Sequence, residues 1–167
     1  MNKTGLARTA LATVALSVPA VGMIAVPAAN ATTHIPPVPA KPATTLNSEL
    51  ASYAKTLEGV PYVLGGTTRA GFDCSGLTQF VYHHFGKAIT RTADGQFHQF
   101  RAISKADARP GDLIFFHVSS NPNSYVYHVA LFEGGNFMVA ASSSHGHVMW
   151  ESYAWAGNTV TFGTITH

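Results

Sequence analysis

Gly71-Phe72-Asp73-Cys74-Ser75-Gly76-Leu77-Thr78-Gln79-Phe80-Val81 holds the only cysteine of the chain and sets it where a helix begins. Asp73 is a good N-cap residue, and Leu77, Phe80, Val81 and His84 follow at helical spacing, so Cys74 falls in the first turn. Unpaired backbone N–H groups there, with an imidazolium beside them, would favour the thiolate, the form of cysteine that attacks carbonyl carbon. Gly71 and Gly76 are expected to keep the approach open. From this stretch alone two readings stand: a nucleophile, or a small apolar residue buried on an amphipathic helix.

Upstream, the chain divides in two before its folded part. Residues 1–31 carry Lys3 and Arg8 ahead of an apolar run from Ala10 to Pro27, closed by the small-x-small signal Ala29-Asn30-Ala31. This predicts a secretory signal peptide cut after Ala31. Pro19, Gly22 and Pro27 interrupt the run and argue against a membrane anchor, so no stable membrane association is expected after cleavage. Residues 32–45, with Pro36, Pro37, Pro39 and Pro42, read as an extended spacer. The folded domain is expected over residues 46–167. It opens with a helical stripe of Leu46, Leu50, Tyr53, Ala54 and Leu57, stopped by Gly59.

The chain of 167 residues is 46% apolar and 11% charged, which suits one compact domain. Of its ten basic residues, two leave with the signal peptide, so eight remain against eight acidic ones. With no net charge and no Lys/Arg cluster interleaved with aromatics, nucleic-acid binding is excluded. Exported chains usually spend cysteines in pairs, so an unpaired Cys74 is intermolecular or reactive. A secreted, extracellular monomer is the expectation.

Downstream, the Cys74 helix should end near Gly86, and Thr92 offers an N-cap for a short helix towards Phe100. Beyond Arg109-Pro110-Gly111-Asp112 the pattern turns to strands: residues 113–117, 126–133, 137–142, 148–152 and 159–166. Helices first and strands last predict an α+β fold, an antiparallel meander packed against the Cys74 helix.

A thiol needs a base, and nine histidines are available. His34 lies in the spacer, His167 at the end, and His83 and His84 several turns from the thiol. His128 opens the apolar strand His128-Val129-Ala130-Leu131-Phe132, where a layered fold could present it to a helix start. A structural, hydrogen-bonded histidine fits that position as well.

Five blocks together resemble the NlpC/P60 family of cell-wall peptidases: Pro61-Tyr62-Val63-Leu64-Gly65-Gly66, Phe72-Asp73-Cys74-Ser75-Gly76-Leu77-Thr78, Arg91-Thr92, Arg109 to Phe116, and His128 to Phe132. The resemblance covers residues 46 to the C-terminus. It implies a papain-like fold, Cys74 as nucleophile, His128 as general base, and peptide stems of peptidoglycan as substrate. By the same resemblance Tyr62, Asp73 and Ser75 would line the substrate pocket. The bond implied joins the side-chain carboxyl of D-glutamate to a diamino acid.

One position departs from the family pattern. Its third polar residue, usually His in a Met-Ile-His-Ala motif, falls on Ala140 of Met138-Val139-Ala140-Ala141, and alanine cannot orient an imidazole. Ser142, on the same strand face, is the first substitute, with a backbone carbonyl, Glu151, His117, His145 and His147 as others. His145-Gly146-His147 also has the spacing of two metal ligands, but no third is identifiable, and neither metal nor cofactor is expected. The sequence thus points to a secreted cysteine peptidase of peptidoglycan. An amidase or acyltransferase on the same fold, or a feebly active wall-binding protein, remains the rival.

Overall fold

The structure, a computed structural model, describes residues 43–157 and 159–167. The expected signal peptide and the spacer as far as residue 42 lie outside the described residues. Helix α1 (Ala43–Lys55) begins three residues before the expected stripe and buries Leu50, Ala51 and Ala54. Two short strands, β1 (Thr67–Thr68) and β2 (Gly71–Phe72), pair where the sequence reads as a loop.

Helix α2 (Cys74–His84) stops as its sequence asks. Gly86 takes φ +71°, and the N–H groups of Gly86 and Lys87 bond back to the carbonyls of His83 and Tyr82. Only glycine enters that left-handed turn without strain, and the two bonds satisfy carbonyls the helix end would orphan. Thr92 caps α3 (Ala93–Gln99) by accepting the Gly95 N–H at 3.1 Å, as its position predicts.

Six strands form one antiparallel sheet: β3 (Arg101–Ile103), β4 (Leu113–His117), β5 (Val126–Gly134), β6 (Phe137–Ser142), β7 (His147–Ser152) and β8 (Val160–Thr164), in the order β3-β8-β4-β5-β6-β7. The expected meander covers β4 to β7 only. From β7 the chain crosses the sheet through a 3-10 turn, Ala154–Ala156, and β8 docks between β4 and β3. The cause is apolar demand on both faces of the sheet. Leu113, Phe115, Val129, Leu131, Val139, Ala141 and Val148 face the helices and pack with Leu50, Leu77, Val81 and Tyr82. Ile114, Phe116, Ala130, Phe132, Met138 and Ala140 face the other way and are covered by Tyr153, Ala156 and Phe162. A sheet apolar on both sides must be covered on both. Among the described residues no helix is long and apolar enough to cross a membrane.

Candidate active site

Asp73 starts α2. Its Oδ1 accepts the Gly76 N–H at 2.7 Å, and its carbonyl accepts the Leu77 N–H at 2.9 Å. The N–H groups of Cys74 and Ser75 are therefore the first-turn donors left without a helical partner. The loop of residues 61–66 lies over this start, held by the Val63 N–H on the Phe72 carbonyl at 2.9 Å and the Asp73 N–H on the Gly66 carbonyl at 3.1 Å. A Cβ on Gly76 would collide with the Gly66 carbonyl, and one on Gly71 with the Val63 side chain. These glycines seat the loop on the helix; they do not hold an approach open.

Arg91 grips the Asp73 carboxylate with both ends of its guanidinium, Nη1 to Oδ1 at 3.0 Å and Nη2 to Oδ2 at 2.5 Å, and donates to the Ser75 hydroxyl at 2.9 Å. The Gly65 N–H adds a bond to Oδ2 at 2.9 Å. Burial alone would raise the Asp73 pKa, but Arg91 and the Gly76 and Gly65 N–H groups outweigh it and hold the carboxyl below its ordinary value. Arg91 was not singled out as a site residue from the sequence, although Arg91-Thr92 is one of the five blocks that carry the resemblance.

Cys74 and His128 line one cavity of about 340 Å³, with Tyr62, Ser142, Glu151 and Trp155 among its walls. A second depression shares Cys74 and Tyr127 with it and is walled by Asp73, Ser75 and Arg91. The thiol thus sits mid-groove, and the sequence-derived residues Tyr62, Asp73, Ser75, Cys74 and His128 all come to that groove. Trp155 and Tyr127 were not expected there. Trp155 arrives on the crossover, its ring stacked 5.4 Å from that of Phe116, a placement no local pattern announces.

The electrostatics differ from the thiolate and imidazolium pair the helix start suggests. Burial pushes the Cys74 thiol up from its ordinary value, and the Asp73 charge adds to this; the backbone of Val129 and both the backbone and hydroxyl of Ser75 bond to sulfur and pull the other way without prevailing. Burial lowers His128 to about 4. Its ring lies 5.1 Å from that of Phe116, and among the described residues no hydrogen bond reaches it. The resting pair is neutral thiol and neutral imidazole.

The candidate orienting residues separate. His117 donates from Nδ1 to the Ser124 carbonyl at 2.8 Å and holds the Thr161 hydroxyl at 2.8 Å through Nε2, so both nitrogens are engaged away from the cavity. Ala140 is fully buried among the apolar residues of the second face. β5 and β6 pair at Leu131↔Val139 and Phe132↔Met138. Continuing that register sets residue 140 against Ala130 and Ser142 against His128. The pairing itself ends at Leu131↔Val139, and Ser142 and His128 come together as walls of the same cavity. Its hydroxyl meets Nδ1 of His145 at 3.0 Å and the Ser144 hydroxyl at 3.1 Å. Glu151 lines the cavity, and no hydrogen bond or ion pair joins it to His128 among the described residues. His147 bonds through Nδ1 to the His145 carbonyl at 2.8 Å, and among the described residues no three metal-ligating side chains converge.

The NlpC/P60 family model matches residues 59–163. The chain is 32% identical over 125 residues to a probable endopeptidase p60 of Listeria grayi, covering 71% of this chain and 22% of that protein. It is 37% identical over 91 residues to a gamma-D-glutamyl-L-lysine dipeptidyl-peptidase of Bacillus cereus, covering 54% of this chain and 27% of that one. The solved structure of a Bacillus cereus NlpC/P60 family protein superposes with a TM-score of 0.67 at 28% identity, covering 72% of this chain and 40% of that chain. The chain spans about a quarter of the two curated relatives.

Proposed function

The chain belongs to the NlpC/P60 family, with its papain-like α+β fold, and from that premise we propose that it is a cysteine peptidase hydrolysing peptide stems of peptidoglycan. The observation that carries the reading is the single groove in which Cys74, at the first turn of α2, meets His128 from β5. The name of a 36% identical Escherichia coli relative, a murein DD-endopeptidase, supports the substrate, and the Bacillus cereus relative's name supports the bond between D-glutamate, through its side-chain carboxyl, and a diamino acid.

The neutral resting pair dictates the order of events. His128 takes the thiol proton as sulfur attacks the amide carbonyl carbon, since neither group ionises beforehand. Negative charge on the carbonyl oxygen meets the N–H groups at the start of α2, each such donor contributing about 3 kcal/mol in comparable sites. The imidazolium, costly in its apolar setting beside Phe116, then gives its proton to the departing amine nitrogen. The C–N bond breaks and a thioester to Cys74 remains. Water, deprotonated by the again neutral His128, attacks that thioester and releases the acid and the thiol. Ser75, Asp73 and Arg91 shape the walls that hold the acyl half, and Tyr62 lines the cavity shared with His128. Ser142 is the side chain best placed to orient His128, through a turn of its hydroxyl away from His145. The bare imidazole also supports a second reading, a wall-binding protein of feeble activity.

Incubating the protein with purified peptidoglycan and identifying new termini by mass spectrometry tests both. New D-glutamate and diamino-acid termini, lost in Cys74→Ala, are expected. Wall binding with no new termini would leave only the second reading.

A further inference from the structure

The cavity beside Cys74 and His128 contains one acidic side chain, Glu151. Its strand position explains its reach. β7 pairs with β6 at Ala140↔Met149 and Met138↔Glu151, so Glu151 is the diagonal neighbour of Ala140 on the same face.

Glu151 differs from the other acidic groups sunk into this fold. Arg91 answers Asp73, and Lys55 answers Glu133 at 3.1 Å. Among the described residues no lysine or arginine pairs with Glu151, and no hydrogen bond holds its carboxylate. The titratable neighbour that acts on it is His145, an exposed residue whose Nδ1 is held by Ser142. An anionic group in a cleft without a fixed counter-charge raises the local concentration of cations.

Proton traffic says which half of the substrate lies there. The imidazole that accepts the thiol proton must deliver it to the leaving nitrogen, so the departing residue lies on the His128 side of sulfur. The acyl half then occupies the other depression, beside Asp73, Ser75 and Arg91. Glu151 is in the leaving-group half.

Resting on the peptidase reading above, we propose that Glu151 is a specificity-determining residue whose carboxylate receives the free side-chain ammonium of the departing diamino acid. Stems whose side-chain amine is free are then preferred to stems in which it is acylated, as in a cross-link, because acylation removes the charge. No other contact need change for this discrimination, and a half-buried ion pair of this kind gives about a five- to tenfold preference.

The test compares L-Ala-γ-D-Glu-L-Lys with its Nε-acetyl-lysine counterpart, using the full chain. The wild type should favour the free amine about five- to tenfold in kcat/KM, chiefly through KM, and Glu151→Gln should bring the ratio close to one. The same ratio should appear in binding to Cys74→Ala and collapse in Cys74→Ala/Glu151→Gln, which separates recognition from chemistry. A wild type that cleaves both peptides equally overturns the assignment, as does a Glu151→Gln variant that keeps the preference. If the wild type cleaves neither peptide and leaves whole peptidoglycan intact, the peptidase reading falls first and takes the assignment with it.

Discussion

Arg91 binds Asp73 through two parallel hydrogen bonds, and the same carboxylate caps the helix that begins with Cys74. One ion pair therefore fixes both the start of α2 and the wall of the groove. Arg91→Ala should destabilise the fold by about 1–2 kcal/mol, below the cost of breaking a fully buried pair because the Arg91 side chain is 37% exposed. Arg91→Lys should recover only part of this, since an ammonium cannot hold both oxygens in a fork. The folded pKa of Asp73 is depressed, so its stabilisation is present above about pH 4 and is lost as pH falls through the lower folded value. Denaturant titrations of wild type and Arg91→Ala should accordingly converge in that acid range.

The neutral resting pair predicts the pH behaviour. Alkylation of Cys74 by iodoacetamide should show a midpoint above about 8.5, not below it. His128 stays neutral down to about 4, so the acid limb of kcat/KM should lie near that pH. Its lowered pKa also links to folding. The unfolded chain takes up that proton near pH 6.5 while the folded chain refuses it until about 4, so stability is full above 6.5 and falls as pH drops towards 4. The loss is on the order of 3 kcal/mol, measurable by chemical denaturation at pH 7 and pH 4.

Residue 140 offers a direct test of orientation. Ala140→His places an imidazole on the face that carries His128, and should raise kcat about tenfold or more, given how strongly orienting residues act in related chemistry. It should also cost about 1–3 kcal/mol, because Ala140 is fully buried. Ser142→Ala should lower kcat, and with Ala140→His in place that loss should shrink. Steady-state kinetics and thermal unfolding of the three variants decide it.

Gly76→Ala probes the packing of the loop on the helix. The new Cβ would meet the Gly66 carbonyl, a backbone atom that cannot rotate away. The expected loss is about 2 kcal/mol or more in unfolding free energy, with slower alkylation of Cys74 as the helix start shifts.

Much of this site is legible in the chain because its causes are local. An Asp before a helical stripe, a Thr two residues past a loop, and a glycine past the helix end each act within a few residues, and α2 and α3 form where those signals stand. The family blocks bring Cys74 and His128 to one groove by carrying the fold with them. What escaped depends on distant partners. Arg101-Ala102-Ile103 is too short to read as a strand until β8 pairs with it. The direction of the Cys74 shift follows from burial beneath a loop and a sheet, which the helix start does not reveal. Ser142 was legible as a candidate from strand parity alone, but its hydrogen bonds to His145 and Ser144 come from the turn that follows β6 and could not be read from the strand.

The crossover to β8 also governs how the molecule is made. β8 is the last strand in chain order, yet it lies between β3 and β4, each pairing with it along one edge. Until residues 160–164 arrive, β4 presents an open edge, apolar from Leu113 to Phe116, and β3 has no strand neighbour. Closure of such distant segments is slow, and an unpaired apolar edge recruits other chains. A nascent chain lacking that strand is therefore an aggregation hazard, and truncation a few residues before Val160 should turn a folding protein into an insoluble one.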